Sequence, residues 1–180
     1  MGAENKLLQP LRGKLILRHA VEAQLEAGLN PVIVVTGHQR AEVEAVLSEL
    51  PVQLVHNPDY ASGLAAALLA GVAALPPGAA AAVISLGDMP NVTPSVIERL
   101  TDAHRARPEA LAAVPTLFGQ RGNPVLLARA IFPAVSLLSG DRGARRLLDE
   151  AGERVVDVPF EDPAIAIDVD TPEALKALRG

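Results

Sequence analysis

The segment Pro31-Val32-Ile33-Val34-Val35-Thr36-Gly37 decides the fold class. A run of β-branched residues bounded by proline and glycine is typical of a strand that is covered on both faces. Residues 15–28, which precede it, have the pattern of a helix that ends at Gly28. Residues 40–50, which follow it, place apolar side chains at helical spacing and stop at Pro51. The order helix, strand, helix predicts an α/β protein.

The same alternation continues along the rest of the 180 residues. We predict further strands at 52–56, 81–86, 124–127 and 155–158, an apolar segment at 110–114, and helices at 62–75, 94–107, 131–138 and 142–151. Residues 165–169 then form an acidic strand end that leads into a last helix beginning at Thr171. Because parallel neighbours need a crossover connection, this order predicts a mainly parallel sheet with helices on both sides. We expect residues 1–180 to form a single domain.

Composition excludes several classes of function. The formal charge of −5 and pI near 5.4 provide no broad basic face, so nucleic acid is not expected as a partner. The chain has no cysteine, which excludes disulfides and thiolate metal sites. The apolar run at 79–86 is too short to span a bilayer, and we expect a cytoplasmic protein with no membrane partner. With 2% aromatic residues, a nucleobase would be read by backbone groups and small side chains.

The segment Leu86-Gly87-Asp88-Met89-Pro90 follows the most apolar predicted strand. Open α/β sheets bind their ligands at the carboxyl ends of strands, so Asp88 is placed where a metal-binding carboxylate would be useful. Gly87 leaves room for a ligand to approach the backbone, and Pro90 ends the strand. The alternative is that Asp88 caps the next turn or helix.

A second acidic strand end is predicted at Ile165-Ala166-Ile167-Asp168-Val169-Asp170. In an extended strand Asp168 and Asp170 share a face, so that one can ligate a metal while the other supports it or binds a second ion. Two separate strand ends could then converge on one hard cation. The alternative is that Asp170 or Thr171 caps the last helix.

Small residues form the turn between the strand at 52–56 and the helix that follows. Free amide groups at this helix start can bind an oxygen-rich group, and Gly63 lets a flat base or ribose lie against the backbone. A plain helix cap remains the alternative. The candidate substrate-binding residues in this turn are Asn57, Ser62, Gly63, Leu64 and Ala65.

Gly119-Gln120-Arg121-Gly122-Asn123-Pro124 places an arginine between two glycines just before a strand. The arginine fork fits phosphate or carboxylate groups, and the glycines allow close approach; a surface turn is the alternative. Lys6, in the N-terminal segment, could neutralise phosphates or only keep the surface charged. The four histidines show no metal-ligand spacing, and we assign none of them a role.

Taken in order, these segments resemble the molybdenum cofactor cytidylyltransferase branch of the MobA-like nucleotidyltransferases, over essentially the whole chain. The matching pieces are Met1-Gly2, Asn5-Lys6-Leu7-Leu8, Asn57-Pro58 through Gly63-Leu64-Ala65, Leu86-Gly87-Asp88-Met89-Pro90, Arg121-Gly122-Asn123-Pro124-Val125, Gly140-Asp141 with Gly143-Ala144-Arg145, and Asp168-Val169-Asp170-Thr171-Pro172-Glu173. Each piece is short, but the ordered set is specific.

The resemblance implies a Rossmann-like three-layer sandwich of the nucleotide-diphospho-sugar transferase type. It implies that Asp88, Asp168 and Asp170 hold Mg²⁺ against the nucleotide phosphates. Lys6 would contact phosphate, and Lys6 and Asp88 would be the catalytic residues. The turn around Gly63 would bind base and ribose, and Arg121, Gly122 and Asn123 would lie on the acceptor side.

The implied reaction joins CMP from CTP to molybdopterin and releases pyrophosphate. The partners are then CTP, a molybdopterin-type acceptor, and a molybdenum hydroxylase or dehydrogenase as recipient. Guanylyltransferases of the family carry Gly-Pro-Leu-Ala-Gly where this chain has Ser62-Gly63-Leu64-Ala65-Ala66, which favours cytidine. The alternatives are transfer with GTP or to a sugar phosphate, and a non-catalytic chaperone that holds molybdopterin.

The chain departs from the family in two places. Family members begin with a strand and a Leu-Ala-Ala-Gly-type loop that cradles the triphosphate, and neither stands before Met1-Gly2 here. We therefore expect a chain that is truncated at its front and lacks an inner strand. Cytidylyltransferases usually have histidine where this chain has Asn123, which leaves the acceptor open.

Overall fold

A computed structural model of the chain describes residues 5–140, 144–169 and 172–179. The strands are β1 (Pro10–Leu11), β2 (Lys14–Leu15), β3 (Val32–Thr36), β4 (Val52–His56), β5 (Ala81–Ile84), β6 (Ala112–Leu117), β7 (Gln120–Arg121), β8 (Val125–Ala128) and β9 (Val155–Phe160). The α-helices are α1 (Ile16–Glu26), α2 (Arg40–Leu47), α3 (Leu64–Ala73), α4 (Pro94–Ala106), α5 (Phe132–Val135), α6 (Arg145–Ala151) and α7 (Pro172–Arg179). Short 3₁₀ turns include Lys6–Leu8, Tyr60–Ser62 and Pro163–Ala166.

The strands form one five-stranded sheet and two separate pairs. In the large sheet the order is β5-β8-β6-β7, with β9 also paired to β6. β9 runs parallel to β6, from Ala112 opposite Val155 to Leu117 opposite Phe160, whereas β8 is antiparallel to both β5 and β6. β3 and β4 form a parallel pair, and β1 and β2 form a short antiparallel hairpin.

The large sheet is covered on both faces. Along β8, Leu126 packs with residues of α4, including Ile97 and Leu100, while its neighbours Val125 and Leu127 pack with residues of α6, including Leu147. Successive side chains of a strand point to opposite faces, so these two clusters lie on opposite sides of the sheet. The result is a helix-sheet-helix sandwich.

The β3–β4 pair has its own apolar cluster, in which Leu17 and Val21 of α1 pack with Val32 of β3 and with Val43 and Leu47 of α2. These side chains are almost fully buried. Val43 and Leu47 have the helical spacing that the sequence predicted, and this spacing buries one face of α2 against the sheet.

The α/β class is confirmed, and β4 matches its predicted bounds at both ends. The sheet is mixed, however, and parallel pairs do not predominate among the described strands. The cause is a hairpin after β6. Phe118 and Gly119 have φ of 49° and 79°, the left-handed geometry of a two-residue turn, and the chain returns antiparallel to β6. This confirms the surface-turn alternative for Gly119.

The prediction of an extended strand at 165–169 is wrong for its first part. Ile165 and Ala166 belong to the 3₁₀ turn Pro163–Ala166, and residues 167–169 are irregular. Asp162 caps this turn, since its Oδ1 accepts a hydrogen bond of 2.8 Å from the amide of Ala164. Proline in the first position of the turn favours the same geometry.

In the ranges that the structure describes, no helix combines the length and the apolar character that crossing a membrane requires.

Candidate active site

Lys6 and Asp88 form the centre of the candidate site. The Nζ atom of Lys6 lies 2.6 Å from Oδ2 of Asp88, and the two side chains are 29% and 18% exposed. Lys6 begins the 3₁₀ turn Lys6–Leu8, which is held by the side chain of Asn5: its oxygen accepts a 3.0 Å hydrogen bond from the amide of Leu7. The pair is half-buried yet open to solvent, so an anionic ligand can reach the ammonium group.

The two acidic segments singled out in the sequence meet in space. The amide of Val169 donates a 3.0 Å hydrogen bond to the main-chain oxygen of Asp88. Val169 is fully buried, with Leu11, Ile16 and Leu175, and this packing anchors the segment. Asp168, next to it, is exposed. The main chain therefore brings positions 88 and 168 into one region, although 80 positions separate them in sequence.

Of the three predicted metal ligands, the structure describes Asp88 and Asp168. Asp170 lies outside the described residues, as do Met1-Gly2 and Asp141 among the segments singled out above. Across 5–140, 144–169 and 172–179, no three carboxylate or histidine side chains cluster closely enough to hold a metal ion. Carboxylate oxygens are the donor type that Mg²⁺ prefers, so the side chains of Asp88 and Asp168 suit such an ion in their chemistry.

Asn57 anchors the second predicted segment. It is buried at 5% exposure, its amide donates to the main-chain oxygen of Thr36 at 2.8 Å, and its Oδ1 accepts from the amide of Asp59 at 3.1 Å. Its Nδ2 is shielded from solvent and has no hydrogen-bond partner within the described ranges. A buried donor left in this state costs free energy.

Gly63 sits between the 3₁₀ turn Tyr60–Ser62 and α3. Its φ of 99° and ψ of −176° are a conformation that favours glycine, and its carbonyl accepts the amide of Ala66. Ser62 donates its amide to the oxygen of Asp59 at 2.9 Å. Leu64 is half-exposed, while Ala65 is buried against the core. Gly63 is the N-cap residue of α3, as the helix-cap alternative predicted.

Arg121 forms an ion pair with Asp157 within the chain. Its Nε atom donates to Oδ1 of Asp157 at 2.8 Å, and a terminal nitrogen lies 3.5 Å from Oδ2. The arginine side chain is 34% exposed and the aspartate 52% exposed. An acceptor phosphate would have to share the guanidinium group with Asp157, or displace it, because the fork already meets a carboxylate.

Position 122 requires glycine because the main chain of Ile165 lies close to it. A Cβ atom there would lie 2.3 Å from the carbonyl oxygen of Ile165. The amide of Gly122 donates to the oxygen of Pro115, and the amide of Asn123 donates to that of Ile165, each at 2.9 Å. Gly122 and Asn123 therefore position the segment that leads to Asp168, whereas the sequence predicted close approach of a ligand.

A large groove, about 1340 Å³ in volume, brings several of these segments together. Its walls include Leu64, Gly87, Arg121, Gly122 and Asn123. Leu7, which follows Lys6, also lines it. Segments that are far apart in sequence thus share one groove, next to Lys6 and Asp88.

A supporting contact that the sequence did not reveal lies at the end of β3. The hydroxyl of Thr36 donates to Oε1 of Glu44 at 2.9 Å, and Nε of Arg40 donates to the same oxygen at 2.7 Å. These hydrogen bonds, that of Arg40 first, hold the pKa of Glu44 below its ordinary value. Thr36 also carries the carbonyl that binds Asn57. The i, i+4 spacing of Arg40 and Glu44 was the available signal.

The chain has relatives of known name. Residues 1–155 match the MobA-like NTP transferase domain. Nicotine blue oxidoreductase of Paenarthrobacter nicotinovorans is 32% identical in an alignment that covers 99% of this chain and 89% of that protein. Purine catabolism protein PucB of Bacillus subtilis is 31% identical, over 98% of this chain and 88% of that protein.

Solved structures agree in fold. The crystal structure of Rv0371c from Mycobacterium tuberculosis H37Rv has a TM-score of 0.86 at 26% identity, covering 98% of this chain and 89% of that one. The manganese complex of Rv0371c has a TM-score of 0.82 at 24% identity, with coverage of 98% and 92%.

Two more distant structures share the fold alone. A CMP:2-keto-3-deoxy-manno-octonic acid synthetase complexed with CTP is 17% identical at a TM-score of 0.74, over 97% of this chain and 90% of that one. Molybdopterin-guanine dinucleotide biosynthesis protein A from Archaeoglobus fulgidus is 18% identical at 0.67, over 98% and 90%. The fold, the ordered segments and the match over residues 1–155 lead to one conclusion: this chain belongs to the MobA-like NTP transferase family.

Proposed function

We propose that the chain transfers CMP from CTP to molybdopterin. In this reaction a terminal phosphate oxygen of the acceptor forms a bond to the α-phosphorus of CTP. The bond between the α-phosphorus and the bridging oxygen breaks, and pyrophosphate leaves with the electron pair. Little covalent chemistry is required of the protein, since positioning and charge neutralisation supply most of the catalysis.

The observation that carries the proposal is the meeting of Lys6, Asp88 and the Asp168 segment. Two anions must approach within about 3.5 Å for the transfer, and their repulsion has to be offset. The ammonium group of Lys6 supplies one positive charge. Its ion pair with Asp88 fixes where that charge lies and keeps it partly shielded from solvent.

Mg²⁺ is proposed as the cofactor, held by Asp88 with Asp168 and Asp170. When bound, it would neutralise phosphate charge. The manganese complex of Rv0371c supports a divalent ion in this fold. The hydrogen bond from Val169 to the main chain of Asp88 leaves both oxygens of the Asp88 carboxylate for other partners, one of which is Lys6.

Base and ribose are proposed to lie against the turn from Asn57 to Ala65. The buried Nδ2 of Asn57 and the glycine backbone at 63 are the kind of groups that read a base without aromatic stacking. The stretch Ser62-Gly63-Leu64-Ala65-Ala66, which differs from the Gly-Pro-Leu-Ala-Gly of the guanylyltransferases, supports a cytidine nucleotide. A molybdenum hydroxylase or dehydrogenase remains the proposed recipient.

The test is product analysis with purified protein. CTP or GTP is supplied with Mg²⁺ and molybdopterin, and both pyrophosphate and the joined dinucleotide are measured. We expect the cytidine product to form at least about tenfold faster than the guanosine product, a difference of about 1.4 kcal/mol in the barrier. A guanosine product, or a product only with a sugar phosphate, would overturn the assignment. Molybdopterin binding without pyrophosphate release would favour the chaperone alternative.

A second candidate is a redox reaction, because a relative with 32% identity over 99% of the chain is named nicotine blue oxidoreductase. The sequence contains no Gly-x-Gly-x-x-Gly, the motif by which many such enzymes bind a nicotinamide dinucleotide. The two functions separate in one assay, which follows NADH oxidation in the presence of nicotine blue. NADH oxidation without nucleotidyl transfer would replace the proposed function.

A further inference from the structure

Phe118 lies at the tip of the hairpin between β6 and β7, and its residue surface is 94% exposed. The chain has only three other phenylalanine and tyrosine residues and no tryptophan. Phe160 is buried, Phe132 packs against the core, and the side chain of Tyr60 lies against Gly37. Phe118 differs from these three in presenting nearly its whole ring to solvent.

The backbone of the turn disfavours phenylalanine as well. Phe118 and Gly119, the two central residues of the turn, have φ of 49° and 79°. Two-residue hairpin turns of this left-handed kind favour asparagine followed by glycine, and a bulky side chain at positive φ is strained. Exposure of the ring and strain in the backbone both lower stability, so neither explains a phenylalanine here. Strain that the fold itself does not require is concentrated at sites that bind a ligand.

The hairpin tip lies at the same edge of the large sheet as Asp88. β5 and β6 run in the same direction, because both are antiparallel to β8. Ile84 of β5 lies opposite Val125, and the register of β6 with β8 brings Val114 to the same level. Asp88 and Phe118 each follow this level by four positions. Two strand spacings, about 10 Å, separate β5 from β6, so a ligand that meets both residues would lie across the end of β8.

The groove beside Asp88 continues to the base of this hairpin. Gln120 and Arg121 of β7 line it, and so do Gly122 and Asn123, which lead into β8 between β5 and β6. A phosphorylated ligand that extends from Asp88 along this wall would therefore meet the hairpin with its far end.

A flat fused-ring group is the ligand that suits one exposed phenyl ring. Stacking buries the face of the ring without further apolar neighbours. A protein partner would need a contiguous apolar patch, whereas the residues that follow Phe118 are glycine, glutamine and arginine. A sugar phosphate has no flat ring to stack.

We propose that Phe118 is the platform on which the pterin ring of the acceptor stacks, so that it selects a fused-ring phosphate over a sugar phosphate. The inference rests on the proposed function, which makes the acceptor a pterin phosphate. Phe118 contacts the ring, and the reacting phosphate lies at the other end of the ligand. Phe118 therefore sets the affinity for the acceptor and leaves the affinity for CTP unchanged.

The test is a binding measurement without CTP or turnover. Calorimetry gives the Kd of neopterin monophosphate, a stable pterin phosphate, for the 180-residue chain and its variants, with glycerol phosphate as the matched ligand that has no ring. Phe118→Asn removes the ring and suits the turn, Phe118→Leu keeps an apolar side chain that is not flat, and Phe118→Tyr keeps a flat ring. Leu137→Asn is the control, because Leu137 is 72% exposed and lies after α5.

We expect Phe118→Asn and Phe118→Leu to raise the Kd of neopterin monophosphate about five- to hundredfold, the range for loss of one stacked ring. Phe118→Tyr and Leu137→Asn should leave it within about twofold of the parent value. The Kd of glycerol phosphate should be the same in every protein. Phe118→Asn should also raise Tm, since asparagine suits the turn, so that its loss of affinity is not a loss of fold.

Equal affinity of the parent and Phe118→Asn for the pterin, full affinity of Phe118→Leu, or no binding by the parent at millimolar ligand overturns the proposal. A dimer that light scattering detects in the parent and not in Phe118→Asn assigns the tip to a second copy and also overturns it. The transfer reaction is judged separately. Pterin binding that depends on Phe118, with no CMP product, keeps the ring site and removes the reaction, whereas equal transfer rates of parent and Phe118→Asn at low molybdopterin keep the reaction and remove the ring site.

Discussion

Substitution of Gly122 by alanine tests how the structure positions the segment that carries Asp168. The added Cβ would lie 2.3 Å from the carbonyl oxygen of Ile165, a backbone atom that cannot move aside like a flexible side chain. Ile165 is fully buried, so its segment cannot shift without disturbing the core. The hydrogen bond from the amide of Asn123 to the same oxygen, at 2.9 Å, would be strained as well.

The magnitude follows from these contacts. Overpacking of this kind costs about 1–3 kcal/mol, and loss of one hydrogen bond adds about 1 kcal/mol. We expect Gly122→Ala to lower the free energy of unfolding by about 2–4 kcal/mol, which for a protein of this size lowers Tm by roughly 4–16 °C. Urea and thermal unfolding followed by circular dichroism measure both quantities.

Gly78→Ala is the matched control, because a Cβ at Gly78 meets nothing within 4 Å and its φ lies outside the left-handed region. The control should change stability by less than about 1 kcal/mol and in the stabilising direction, since alanine restricts the unfolded chain. If Gly122→Ala unfolds at the same urea concentration as the parent and the control, the proposed contact with Ile165 does not hold that segment in place.

Two further experiments test individual ion pairs. The hydrogen bond from Lys14, at 2.5 Å, is the largest cause that holds the pKa of Glu22 below its ordinary value, so Glu22→Gln should cost about 0.5–1 kcal/mol at pH 7. Because a lowered pKa contributes stability above the unfolded value of about 4.3, the cost should vanish as pH falls through the folded-state pKa; a cost that persists at pH 2 would refute this assignment. The pair of Arg121 and Asp157 is tested by a double-mutant cycle with Arg121→Met and Asp157→Asn, which should give a coupling free energy of about 0.5–1 kcal/mol that shrinks with added salt. Zero coupling at low salt would show that the guanidinium group of Arg121 is free for a ligand.

The fold was predictable where the signal is local. The β-branched run at Val32–Thr36 and the helical spacing on α2 specify strand and helix because each buries its own apolar side chains against a neighbour. The antiparallel return of β8 was not predictable from such patterns, since it depends on the left-handed pair Phe118 and Gly119, and only the glycine is a turn signal in sequence.

The site was predictable as a set of segments and not as a set of contacts. Asp88 was placed correctly after its strand, and the structure pairs it with Lys6. No sequence pattern links Arg121 to Asp157, because the residues are 36 positions apart and meet only since β7 and β9 both pair with β6. Likewise, Gly122 reads as a ligand-binding glycine until the carbonyl of Ile165 is seen to occupy that space.

The central claim is that the Asp88 carboxylate, beside Lys6, serves nucleotidyl transfer. Its most direct test is Asp88→Asn, compared with Asp102→Asn on the exposed surface of α4. Pyrophosphate release from CTP is measured with Mg²⁺ and molybdopterin for the parent protein and both variants. We predict that Asp88→Asn loses about 10²–10³-fold of the rate, as for removal of one preorganised electrostatic group, while its stability changes by no more than about 1 kcal/mol and Asp102→Asn keeps full activity. Turnover by Asp88→Asn equal to that of the parent protein would contradict the account.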